Sequence, residues 1–195
     1  MIKQLGLLFL LIAGSFLFGC VEQVRLMQNV QDASYEPISD KAIIIFLRPQ
    51  ILALKVQAEI FDLISQENNL VGIVSAKEKL AYLTEPGNHL FMITGESADF
   101  MKADLRAGKI YYARIVPRIG VHKARFSLEP VHKDIEQSKL DSWKKSCKYI
   151  ENTKDSYKWA QRNAANTQII KGRYLPNWIK KPENEQSFLK PEDGF

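Results

Sequence analysis

Ala42-Ile43-Ile44-Ile45-Phe46-Leu47-Arg48-Pro49 is the stretch that decides the fold. Six apolar, mostly β-branched residues in a row are what a strand covered on both faces requires. Arg48-Pro49 ends it, because proline has no N–H to offer a ladder. Downstream, Leu54, Val56, Ala58 and Ile60 alternate with Lys55, Gln57 and Glu59, the period-two pattern of a half-buried strand. Shorter runs follow at 70–75, 79–84, 89–94, 99–105, 110–116 and 122–128, separated by turn residues. In Glu85-Pro86-Gly87-Asn88 the proline and glycine stand where a type II turn wants them. Strands at this spacing, without intervening helical patterns, predict a mainly β fold: an antiparallel β-sandwich of about seven to eight strands over residues 41–131.

From Asp134 onward the period changes. Leu140, Trp143, Cys147 and Ile150 step by three, four and three, so they would share one helical face. After Glu151-Asn152-Thr153, where Thr153 or Asp155 can cap a helix, Tyr157, Ala160, Ala164, Thr167 and Ile170 make a second stripe, and Gly172 is a plausible stop. Residues 132–175 therefore read as a C-terminal two-helix hairpin. Residues 176–195, rich in Pro, Glu, Lys and Asn, read as an irregular tail with Trp178, Phe188 and Leu189 as isolated apolar points.

Upstream of the sheet, Lys3 precedes a largely apolar stretch from Leu5 to Phe18, then Gly19 and Cys20. That length suits the apolar region of a secretory signal, about 7–15 residues, and falls short of the roughly 20 that span a bilayer. Leu17-Phe18-Gly19-Cys20 resembles the lipobox of bacterial lipoproteins, with Phe18 departing from the small or β-branched residue usual in that slot. The resemblance implies a signal peptide over 1–19, cleavage before Cys20, lipidation of the Cys20 sulfur and acylation, typically with palmitate, of the new amino terminus. It also implies a cell-envelope location. Val21 in place of Asp favours the periplasmic face of an outer membrane where the cell has one. Several acyl chains on one residue hold far better than a single chain, whose binding is reversible. Residues 20–40, with the polar Gln28–Ser34 run and Glu36-Pro37, read as the lipidated cysteine and a tether.

Pro86-Gly87-Asn88-His89 and Leu105-Arg106-Ala107-Gly108-Lys109-Ile110-Tyr111-Tyr112 carry a second resemblance. They are similar to small exported bacterial β-sandwich domains of the PEGA type. In those a PG-x-H hairpin precedes an L-x-AGK-x-YY hairpin and an early strand ends in Arg-Pro. The resemblance spans roughly residues 41–130 and implies a fold rather than an activity. These domains are not known as enzymes, and no site residues follow from it.

Composition narrows the function. With 46% hydrophobic and 25% charged residues the chain reads as globular. Only two cysteines are present, so lipid on Cys20 leaves Cys147 without an intrachain partner, and it reads as a small buried apolar residue. Of the three histidines, His89 sits beside a turn, and His122 and His132 stand at the ends of one strand. Ten residues apart, those two are separated by roughly 30 Å if the segment is straight, too far to share a metal. No metal-binding, phosphate-binding or nucleophile-elbow motif occurs, and no cofactor is expected. Glu59, Asp62, Glu67, Asp99 and Asp104 are scattered carboxylates from which no pair stands out.

The segment from Lys139 to Lys181 holds eleven basic and three acidic residues, a net charge of +8, interleaved with Tyr157, Trp159, Tyr174 and Trp178. Lys144, Lys145, Lys148, Lys154, Lys158 and Arg162 form a candidate basic interaction face. On an exported protein this points to anionic lipid or an acidic envelope protein, not to nucleic acid. The expected function is a membrane-anchored, non-catalytic scaffold or partner-binding module. The alternative is an envelope hydrolase or carbohydrate-modifying enzyme using carboxylates at the sandwich edge.

Overall fold

The computed structural model describes residues 25–31, 33–64, 67–121 and 124–195. The signal segment, Cys20 and His122 lie outside the described residues. The deciding stretch forms β2 (Ala42–Leu47), an interior strand whose six residues are all buried. Its alternation shows why. Ala42, Ile44 and Phe46 enter the central core, while Ile43, Ile45 and Leu47 face the other way, against Leu140 and Trp143 of α1 (Gln137–Ser146).

Two sheets share that core. The first runs β1 (Met27–Asn29), β10 (Lys148–Asn152), β5 (Glu78–Thr84), β2, β8 (Lys109–Arg118), β9 (Arg125–Pro130). The second runs β11 (Ser187–Leu189), β7 (Ala98–Leu105), β6 (Gly87–Thr94), β3 (Ala58–Asp62), β4 (Asn69–Val74). Ile60, Phe91, Ile93, Met101 and Ala103 of the second sheet meet Ile44, Phe46, Tyr111 and Ile115 of the first. The Phe46 and Phe91 rings pack edge to face at 5.2 Å. On the outer face of the second sheet, Phe61, Met92 and Phe100 are covered by Trp178 of α2 (Lys154–Ile179).

The fold is mainly β and sandwich-like, but it differs from expectation in several respects. Eleven strands are present among the described residues, not seven or eight. Three pairings are parallel: β2 with β8, β10 with β5 and β11 with β7. The two glycine turns are not hairpins. The Pro86-Gly87 turn passes from β5 in the first sheet to β6 in the second, and Arg106–Gly108 passes back from β7 to β8. Both need the left-handed backbone that glycine supplies, with φ of 128° at Gly87 and 71° at Gly108.

The helices do not form a hairpin either. β10 lies between them, α1 covers the outer face of the first sheet, and α2 covers that of the second. Leu140, Trp143 and Cys147 do share the outer cluster, but Ile150 belongs to the central core, because the chain has become a strand by that point. Thr153 caps α2 by accepting a hydrogen bond from the Asp155 N–H at 3.2 Å. Gly172 does not stop the helix, which continues through Pro176 to Ile179 because Trp178 is buried against Phe100.

The described residues of 25–35 and the residues after α2 are also built in. β1 pairs antiparallel with β10, and Tyr35 packs on Tyr149 at 5.1 Å, so from Arg25 onward the expected tether belongs largely to the folded body. The tail is ordered too. β11 extends the second sheet, and the backbone of Phe195 bonds both ways with Ile110 of β8 in the first sheet.

Candidate functional site

One end of the two-sheet body carries a built apolar surface. β2 ends at Leu47, and its parallel neighbour β8 runs four residues past the Leu47–Arg114 pair to Arg118 before turning into β9. The segment after β2 and the β8–β9 tip therefore lie at the same end. Ile51, Leu52 and Leu54 project from the first, and Ile119 and Val121 from the second; Ile51, Ile119 and Val121 are 68%, 88% and 76% exposed. Single exposed aliphatics need no explanation, but five at one end mark a surface that water does not favour.

Arg48 shapes this end. Its side chain is fully buried and its guanidinium hydrogen-bonds to four backbone carbonyls. Nη1 donates to the carbonyls of Val56 at 2.7 Å and Val74 at 3.2 Å, and Nη2 to those of Leu52 at 3.1 Å and Ala53 at 2.8 Å. The cation also lies 4.7 Å from the centre of the Phe126 ring in β9. Burial pulls its pKa below the ordinary arginine value, and the charge of Glu78 opposes that. The captured carbonyls explain why the alternating pattern at Leu54–Ile60 does not make a strand before Ala58. Ala53 takes a left-handed φ of 57° and Leu54 points outward. A costly buried cation is thus spent on holding a loop whose aliphatic side chains stand in solvent.

The opposite end holds a sealed polar network. His89 Nδ1 lies 2.8 Å from Asp62 Oδ2, and His89 Nε2 donates to the Glu85 carbonyl at 2.9 Å. Tyr82, from the other sheet, donates to Asp62 Oδ2 at 3.3 Å, and the Ile64 N–H donates to Oδ1 at 3.2 Å. Burial pulls the His89 pKa down, but the hydrogen bond and charge of Asp62, with the Glu85 carbonyl, outweigh it and leave it raised. Burial, helped by the Asp62 charge, pushes the Tyr82 phenol up to about 12. Both side chains of the His89–Asp62 pair are shut off from solvent, so the network ties the two sheets together and cannot meet a substrate as it stands.

The other predicted residues are scattered. Lys144 and Lys145 lie in the last turn of α1 and Lys148 begins β10, whereas Lys154, Lys158 and Arg162 lie along α2. Since the helices cover opposite outer faces, the six do not form one hairpin face. Of the carboxylates, Glu59 accepts a hydrogen bond from Thr94, Asp62 is sealed, and Glu67 lines a cleft of about 640 Å³ between α2 and the β3–β4 connection. The alternation along β3 and β7 turns Glu59 to the outer face of the second sheet and Asp99 to the inner one. Asp104 and Glu59 stand at opposite ends of that sheet, opposite Asn88 and Thr94 of β6 respectively.

His132 bonds to Asp193 at 3.0 Å, which anchors the tail. Cys147 is buried, and burial raises its thiol pKa despite the opposing Ser146 hydrogen bond and nearby lysines. Among the described residues, no group of three or more His, Cys, Asp or Glu is arranged to hold a metal ion, and no helix is long and apolar enough to cross a membrane. Arg48 and the loop residues Ile51, Leu52 and Leu54 were the site residues that sequence reasoning missed. The signal available was three large aliphatics within four residues directly after a strand-ending Arg-Pro. No protein-family model and no curated protein matches the chain.

Proposed function

We propose that this protein is a lipid-anchored envelope protein, held by Cys20, that acts as a non-catalytic module docking a protein partner. The observation that carries the docking role is the apolar end: Ile51, Leu52 and Leu54, in a loop held from within by Arg48, at the same end as Ile119 and Val121. A surface already fixed in its bound shape loses little entropy on association, so a preorganised aliphatic patch suits a partner that presents an aliphatic surface of its own. The anchor reading is supported by the resemblance of Leu17-Phe18-Gly19-Cys20 to a lipobox and by the preceding apolar stretch.

Cross-linking in native membranes tests the role. The wild-type chain is compared with an Ile51→Ser, Leu54→Ser, Ile119→Ser variant, each change placed on an exposed side chain so that stability holds. Loss of a discrete cross-linked species, with an unchanged unfolding midpoint, supports the docking role. An identical cross-link pattern overturns it.

A further inference from the structure

We propose that the β1 edge and the first turns of α2 are the surface this protein turns towards its membrane, where Lys154, Lys158 and Arg162 bind anionic phospholipid headgroups. The inference rests on the lipid-anchor reading above and adds an orientation to it.

Chain length is the first argument. Arg25 is the first described residue, and only five residues of chain lead from Cys20 to it. Five residues reach at most about 18 Å. The carbonyls of Arg25 and Leu26 accept hydrogen bonds from the Thr153 hydroxyl at 2.7 and 3.1 Å. The anchored chain therefore enters the body beside the residue that caps α2. An anchor so short holds this edge against the bilayer and leaves the far end of the body outside its reach.

Charge is the second. Lys154, Lys158 and Arg162 are spaced by four, which places them in one stripe along α2, and all three are exposed. Arg25 is exposed next to the cap, and Tyr157 stands exposed between the first two lysines. Among the described residues, three acidic ones border this surface: Asp155, which accepts a hydrogen bond from Lys158 at 3.1 Å, Glu151, which accepts one from Gln28, and Glu67, which lines one cleft with Tyr157. Four described cations against three anions leave it net positive. A basic patch beside an acyl anchor is the arrangement in which weak headgroup attraction becomes effective, because the anchor already keeps the patch at the surface.

The other three basic residues of the expected face do not share this position. Lys148 starts β10 at the end nearer Lys77 and Arg48, since Lys148 pairs with Glu78. The apolar end lies beyond this edge along the strands: the register sets Asn29 level with Ile150, Leu80, Phe46 and Ala113, and β8 runs five residues, roughly 17 Å, further to Arg118.

The test uses the full chain, matured in cells and added to phosphatidylcholine vesicles with or without phosphatidylglycerol. Lysine acetylation is read residue by residue, Tyr157 iodination is read alongside, and palmitate incorporation is measured on the same preparation. The expected result is a several-fold loss of reactivity at Lys154 and Lys158 on phosphatidylglycerol vesicles, reversed by high salt, with Lys55 and Lys77 unchanged. In the K154E/K158E/R162E variant, Tyr157 iodination should lose its dependence on phosphatidylglycerol while palmitate is retained. A palmitate-labelled chain whose Lys154 and Lys158 ignore phosphatidylglycerol, or whose Lys55 and Lys77 are protected instead, overturns the orientation and leaves the anchor standing. A chain that carries no palmitate overturns the anchor, and the orientation falls with it.

Discussion

His89 Nδ1 and Asp62 Oδ2 lie 2.8 Å apart with both side chains fully buried, and each residue's remaining polar atoms meet further partners. The Glu85 carbonyl only accepts, so His89 Nε2 donates to it, and the Asp62 carboxyl group beside Nδ1 favours the protonated ring. Its pKa is raised above the ordinary value of 6.5. A raised folded-state pKa means that the pair's stabilisation is complete below that ordinary value and is lost as pH rises through the folded one. Urea midpoints of the wild type should therefore fall from about neutral pH upward, and His89→Gln should lack that decline. A wild-type profile as flat as the variant's contradicts the assignment. Asp62→Ala, which leaves the buried Tyr82 hydroxyl and His89 Nδ1 without their acceptor, should cost about 1–3 kcal/mol or more at neutral pH.

Arg48→Lys should show that the guanidinium fork, not the charge, holds the apolar loop. An ammonium cannot donate along two parallel directions to the carbonyls of Val56, Val74, Leu52 and Ala53. Hydrogen bonds from a charged donor contribute about 1.5–3 kcal/mol each, so the loss of even two should lower stability by about 3 kcal/mol or more. Limited proteolysis should then cut within residues 50–56 while β2 and β8 stay intact. Unchanged resistance of that segment would show that the loop keeps its shape without Arg48.

β2 was legible because six consecutive apolar residues leave little alternative to a doubly covered strand, and both covers exist. β10 was not, because Ile150 sits at a helical interval from Cys147 and its pairings with Leu80 and Asn29 make it a strand residue. β1 and β11 are three-residue strands whose existence depends on an edge formed far away in sequence. The same limit hid the Asp62–His89 pair: β3 and β6 are neighbours only once the register sets Asp62 opposite Phe91. Arg48 was legible as a strand end but not as a loop organiser, since its acceptors are backbone carbonyls that no residue type announces.

Cys147 and Cys20 should separate cleanly by reactivity. The Cys147 thiol is buried and burial raises its pKa, so the thiolate needed for attack is scarce. Iodoacetamide should leave it unmodified in the native protein and alkylate it after unfolding. Cys20→Ser should abolish palmitate incorporation and leave an unprocessed precursor. Rapid native alkylation at Cys147 would mark that face as open.

The carboxyl terminus should behave as part of the core and not as a tail. Phe195 exchanges both backbone hydrogen bonds with Ile110, its ring meets Tyr112 at 5.3 Å, and the Tyr111 hydroxyl donates to the Pro191 carbonyl at 3.1 Å. Gly194 makes that approach possible. A Cβ there would stand 2.9 Å from both the Lys109 Cβ and the Tyr111 Cζ, closer than real contacts allow. Tyr111 is buried in the central core and cannot move aside cheaply. Gly194→Ala should cost about 1–3 kcal/mol through overpacking, although its φ of −73° suits alanine well. Removing the last five residues should cost more, because it also frees His132 and Lys133 from Asp193 and uncovers the lower edge of β8. Thermal unfolding of the two variants checks the order. A truncated chain as stable as the wild type would show that the tail only rests on the fold.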